Sequence, residues 1–256
     1  MKCAIYYTRL ITILLLTSFF FFACSHLKTR VPDSSLEEAR TLLFNLQNKN
    51  YSLKTFKGIG KFKLWNNGRS QAARLAWIGF NPEKLRIEIL GVSGQPAVSI
   101  ADDGSWLYFL SQTRHRFYKK RSTRADLKSL MSIPITSRDV IAFLAGRVPV
   151  PDYHTAFIIH NEAEDGYVLV LKKRWRGIIE KIYFDENKTG IRKVEMFASS
   201  GALVYRVVFE DMQNVNTYQV PLKLVISNDD IIFHLNIEKY WADVVVSPSM
   251  FVLNPK

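Results

Sequence analysis

The sequence predicts a mainly β protein: one antiparallel sheet of about 11–12 strands, strongly curved and left unclosed, with an N-terminal helix and further helices in mid-chain. Three observations predict it. Short runs that alternate polar and apolar side chains recur along most of the chain, as in Lys84-Leu85-Arg86-Ile87-Glu88-Ile89. Brief turn clusters separate them, such as Asp102-Asp103-Gly104, Glu164-Asp165-Gly166 and Ser199-Ser200-Gly201, too short for the crossovers that parallel strands need. With 48% hydrophobic and 13% aromatic residues in 256, the chain can fill a core, and no repeat or composition break divides it.

The chain opens with an export signal. Lys2 and Arg9 hold the only charges before Cys24, and an uncharged run over residues 10–23 ends in Phe19-Phe20-Phe21-Phe22-Ala23. Spanning a bilayer takes roughly 20 apolar residues, so residues 1–23 read as a signal peptide rather than a transmembrane helix. Small Ala23 before Cys24 is similar to a bacterial lipobox, in which the cysteine is acylated and becomes the mature N-terminus. Cys3 would leave with the signal, so Cys24 would be the one cysteine of the mature chain, with no internal disulfide and a use as a lipid anchor. Ordinary cleavage near Ala23 beside an incidental cysteine is the competing reading. The formal charge of +12 suits an exported protein that meets anionic headgroups, and export argues against a nucleic-acid partner.

Residues 24–32 read as an acylated tether, residues 33–245 as the half-barrel domain and residues 246–256 as a C-terminal tail. A helix starts near Asp33, with Ser34 and Glu37 in capping-box spacing and Leu36, Ala39, Leu43 and Leu46 on one side. Strands are expected at 54–64 and 72–80, where Gly58 and Gly60 allow a bend or bulge. The four-strand meander that follows, from Trp77 to Tyr118, is expected to form the middle of the sheet. Residues 125–131 suggest a short helix, and Thr136-Ser137-Arg138-Asp139 starts another, with Val140, Phe143 and Leu144 as its apolar stripe and Gly146 as its stop. Seven further strands follow, between 155 and 240. Lys84 and Arg86 on one strand face argue against a barrel embedded in hydrocarbon.

The sequence offers no catalytic set, no metal-ligand spacing and no cofactor motif, so an enzyme is not expected. Gly91-Val92-Ser93-Gly94 is followed by Gln95 where a nucleophile elbow needs glycine. The five histidines lack metal spacing, and Asp102-Asp103 suits a hairpin turn better than an acid–base pair. Two basic clusters, Arg114 to Arg124 and the group around Trp175, read as solvated faces or as contacts for anionic lipid or an acidic carrier.

Several of these stretches resemble the LolB family of outer-membrane lipoproteins, which receive other lipoproteins from a periplasmic carrier. They are the lipobox and helix before Gly58-Ile59-Gly60-Lys61-Phe62, the strand and loop from Leu85 to Gln95, and Ile133-Pro134-Ile135 followed by Val140-Ile141-Ala142-Phe143-Leu144-Ala145-Gly146 and Pro149. The resemblance implies a half-barrel whose helices lid a hydrophobic cavity for acyl chains of lipoproteins or lipids, with Leu85, Ile87, Ile89, Val140, Phe143 and Leu144 as its candidate lining. It implies anchoring at the periplasmic face of the outer membrane through Cys24 and a periplasmic LolA-like carrier as partner. It also makes Gly91, Val92, Ser93 and Gly94 the membrane-insertion loop. Here the sequence departs from the family, since Ser93 stands where the family carries a protruding leucine and Val92 is the one apolar tip. The alternative is an envelope assembly or scaffold lipoprotein of the same fold. A continuous apolar cavity under the mid-chain helices favours the first reading and a packed interior the second.

Overall fold

The computed structural model describes residues 33–122, 127–128 and 132–254. The signal, Cys24, the tether, Arg124 and most of the helix expected over 125–131 lie outside the described residues. So does the side chain of Ser34, and with it the expected capping box.

Thirteen antiparallel strands form one sheet: β1 Thr55–Asn66, β2 Arg69–Phe80, β3 Lys84–Leu90, β4 Pro96–Asp102, β5 Trp106–Ser111, β6 Arg116–Arg121, β7 Thr155–Asn161, β8 Gly166–Lys173, β9 Gly177–Phe184, β10 Ile191–Phe197, β11 Leu203–Val215, β12 Tyr218–Ser227 and β13 Ile231–Ala242. Their order is β6-β5-β4-β3-β2-β1-β13-β12-β11-β10-β9-β8-β7, so β1–β6 and β7–β13 are two meanders joined where the first strand pairs with the last. The sheet curls but does not close, and β6 and β7 remain its outer edges. The Trp77–Tyr118 meander is therefore a flank and not the middle. Local alternation identifies a strand and its faces; it carries no record of which distant strand will pair with β1.

Alternation sorts the faces. In β1, Phe56, Gly58, Gly60 and Phe62 point into the curl and Lys57, Lys61 and Lys63 point out. The glycines do two jobs. A Cβ on Gly58 would sit 2.1 Å from the Trp77 ring, so this glycine makes room for the indole. Gly60 marks a bulge against β13, where the register slips between Ile59 and Gly60.

Among the described residues, two helices cover the inner face. α1 (Asp33–Asn48) buries Ala39, Leu42, Leu43 and Leu46 and packs along edge strand β7. Ser35 Oγ donates to the Ile158 carbonyl at 2.8 Å and accepts from its N–H at 3.0 Å, capping groups that an edge strand leaves open. α2 (Ser137–Leu144) begins at the expected place: Thr136 Oγ1 accepts from the Asp139 N–H, and the Asp139 carboxylate accepts from the Thr136 N–H, both at 3.1 Å. Gly146, at φ +67, stops it. α2 lies between the meanders, touching β3 on one side and β12 on the other.

The residues after β13, expected as a tail, fold onto the outer face of the first meander. A 3-10 turn over Pro248–Phe251 buries Phe251, Leu253 packs into a small outer cluster with Ala101 and Tyr108, and the Arg86 guanidinium donates to the Met250 carbonyl at 2.9 Å. Among the described residues no helix is long and apolar enough to cross a membrane.

Candidate functional site

The site is the interior between α2 and the sheet. Val140, Phe143 and Leu144 descend from α2 because the 3.6-residue period sets them on one side, and all three are buried. They face Leu75 and Trp77 of β2, Ile87 of β3, Leu224 and Ile226 of β12, and Phe233 and Leu235 of β13. The cavity between them is about 40 Å³ and its lining is entirely apolar side chain. That volume is roughly a quarter of the ~150 Å³ that accommodates benzene in an engineered core, so no acyl chain fits while α2 lies down.

Of the six expected lining residues, Ile87, Val140, Phe143 and Leu144 reach the cavity. Leu85 shares their inner face but is packed into the core, and Ile89 is half-buried further along β3; neither lines the cavity. The contributions of β2, β12 and β13 were missed. Their alternation is visible in sequence, but only the β1–β13 pairing turns those faces toward α2.

The N-terminal turn of α2 sits between two acids. On the first meander, buried Asp102 accepts from Ser137 Oγ at 2.5 Å, from Ser122 Oγ at 2.7 Å and from the Gly104 N–H at 2.9 Å. The sequence places Asp102 in a turn, and it is there, but it also pins the start of α2. On the second meander, Tyr205, Met196, Glu180 and Leu171 form one cross-strand row. Glu180 is wholly buried on it, and neither carboxyl oxygen has a hydrogen-bond partner. Burial, reinforced by the nearby Asp139 carboxylate, pushes the Glu180 carboxyl well above the usual range and so favours its neutral form. Burial likewise raises Asp139 and Tyr205. The Tyr205 hydroxyl faces Asp139 without closing a hydrogen bond of normal geometry. The ring of Tyr205 packs edge-on against Phe143, with centroids 6.2 Å apart. A glutamate in an otherwise alternating strand was the one sequence signal for this acid.

The loop Gly91–Gly94 is a tight turn closed by Gly94 N–H to the Gly91 carbonyl at 2.9 Å and Gly91 N–H to the Gln95 carbonyl at 2.8 Å. Gly94 takes φ +80, and Val92 stands fully clear of the surface. The four histidines among the described residues and Asp103 fall elsewhere: Asp103 accepts from the N–H groups of Ser105 and Trp106 and from the Tyr108 hydroxyl, as turn chemistry requires.

Fold and interior together define a class by shape: a half-barrel with a mid-chain helix laid over an apolar interior. A LolA superfamily protein of Nitrosomonas europaea matches at TM-score 0.58 with 15% identity, covering 84% of this chain and 97% of its own. A DUF1329 family protein of Desulfovibrio piger matches at TM-score 0.60 with 8% identity, over 85% of this chain and 97% of its own. A domain from Vibrio parahaemolyticus named for outer-membrane lipoprotein sorting matches at TM-score 0.55 with 12% identity, over 86% of this chain and 96% of its own. At such identities the likeness is one of fold. No family model and no curated protein matches the sequence.

Proposed function

We propose that this chain is a lipid-anchored envelope protein that binds acyl chains of lipoproteins or lipids beneath α2 and takes part in their transfer to the outer membrane. The observation that carries it is the lining: ten side chains from five elements converge there, and the exposed surface between them is all apolar. Since the cavity is small, loading requires α2 to lift, with the sheet serving as the fixed wall. Val92, projecting from its glycine-bounded turn, is the apolar tip that enters the bilayer boundary. Acylation of Cys24 holds the protein at the periplasmic face, within reach of a LolA-like carrier. The reading is tested by titrating the full-length protein with a fluorescent fatty acid. The wild type should bind saturably, and Phe143→Asp, which sets a charge on the dry side of α2, should lose binding while its far-ultraviolet spectrum stays β-type. Equal binding by both proteins would remove the interior from consideration.

One observation favours the second reading, an assembly lipoprotein with a filled interior: the cavity volume of about 40 Å³. Under that reading the wild type fails to bind the fatty acid at all.

A further inference from the structure

An antiparallel sheet sends alternate turns to opposite ends. The turns after β1, β3, β5, β8, β10 and β12 share one end, and those after β2, β4, β7, β9 and β11 share the other. The two ends differ in charge. With one flanking residue on each side, the turns of the first end hold Arg69, Arg114, Arg116, Lys173, Arg174 and Arg176 against Asp229 and Asp230. The turns of the other end hold eight carboxylates against Lys84 and Lys188.

Among the hairpin turns, the apolar tips protrude at the cationic end. Val92 is one. Trp175, on the turn between β8 and β9, is the other, with 92% of its surface exposed. Its backbone is left-handed at φ +68, unusual for a bulky residue, and Gly177 follows at φ +70, so the turn holds the indole outward. Arg174 and Arg176 flank it. Beside it lies an open groove of about 490 Å³, shared with the turn after β10 and lined by Arg176, Lys181, Phe197, Ser199 and Ser200. Guanidinium, ammonium and hydroxyl groups next to aromatic rings match a phospholipid headgroup, with its phosphate on the cations and the ring at the acyl boundary.

We infer that the β8–β9 hairpin docks on an anionic phospholipid bilayer, with Trp175 at headgroup depth and Lys173, Arg174 and Arg176 on lipid phosphates. The β3–β4 turn lies near one edge of the sheet and the β8–β9 turn near the other, on the same end, so one bilayer can meet both tips. The inference stands apart from any occupant of the interior. Its strongest support is that charge, exposed tips and groove coincide at one end, although nothing in the local strand pattern requires them to.

The test is tryptophan quenching by vesicles of phosphatidylethanolamine and phosphatidylglycerol brominated near the headgroup, added to the full-length protein. The four other tryptophans are common to wild type and Trp175→Phe, so the difference between the two reports Trp175 alone. Wild type should be quenched, Trp175→Phe should lose most of that quenching, and the double change Arg174→Glu with Arg176→Glu should weaken it and abolish its salt dependence. Equal quenching of wild type and Trp175→Phe overturns the inference. So does quenching as strong with phosphatidylcholine alone, which takes away the anionic requirement. Absence of quenching with every vesicle, as expected if the hairpin engages an acidic protein, overturns it too. Failure of fatty-acid binding leaves the quenching result untouched, because the two are read at different places.

Discussion

The two meanders hold the same helix in opposite ways. Asp102 on the first meander faces the start of α2 with its lone pairs taken by two serine hydroxyls and a backbone N–H. Glu180 on the second faces the same turn with both oxygens unpartnered and a second carboxyl, that of Asp139, close by. A buried carboxylate with charge-assisted hydrogen bonds holds its contacts in place, whereas a buried acid without them is a standing penalty that separation would relieve. If α2 lifts as proposed, the difference predicts a hinge on the first meander and parting from the second.

The largest effect that would break this asymmetry comes from Phe143, which is fully buried and contacts Tyr205 and Phe209 of the second meander. Phe143→Ala should cost about 3–5 kcal/mol in denaturant unfolding, if the helix collapses little into the space left. Hydrogen exchange should show α2 losing protection more than β1 or β13. Uniform loss across the sheet would mean that α2 is not a separable lid.

Next in size is Asp102→Ala. Removing hydrogen bonds to a charged acceptor should cost about 2–3 kcal/mol and loosen the start of α2 from its hinge. Equilibrium unfolding measures the first and exchange of the α2 amides the second. A change under ~0.5 kcal/mol, the range of an ordinary surface substitution, would show that Asp102 pins nothing.

Glu180 has the smallest effect in acid and a growing one above it. Its folded pKa is raised, so below the ordinary value of 4.5 both folded and unfolded carboxyls are protonated and stability is unaffected. As pH rises above 4.5 the unfolded chain loses its proton while the folded one keeps it, so stability falls by about 1.4 kcal/mol per pH unit until the folded pKa is passed. Asp139, also raised, contributes with the same sign. Glu180→Gln should therefore unfold at a higher temperature than wild type at pH 7, with a gap that closes toward pH 4.5. A gap independent of pH would place the charge change elsewhere.

Much of this arrangement is legible in the sequence because it is local. Strands such as β1 and β3 carry their alternation, Thr136 and Asp139 announce the start of α2, and Gly91 and Gly94 bound a turn with one apolar tip. What is not legible depends on distant pairing. Leu224, Ile226, Phe233 and Leu235 look like any inner face until β13 is laid against β1. Glu180 is one acid in a strand of eight residues, and its meaning comes from Asp139 arriving over it. Leu253 reads as part of a tail because the outer cluster that receives it lies across several strands of the first meander.

The joining of the sheet through its first and last strands also sets an order of assembly. Each meander can zip up from its own hairpins, yet β1 has no partner on one side until β13 has been made and delivered. Contacts so far apart in the chain close slowly, and an open β1 edge is a template for pairing with another molecule. The interval between emergence of β1 and arrival of β13 is therefore the chain's most aggregation-prone period. A protein that loses its last strand should accumulate as oligomers joined along β1 rather than as a smaller half-barrel.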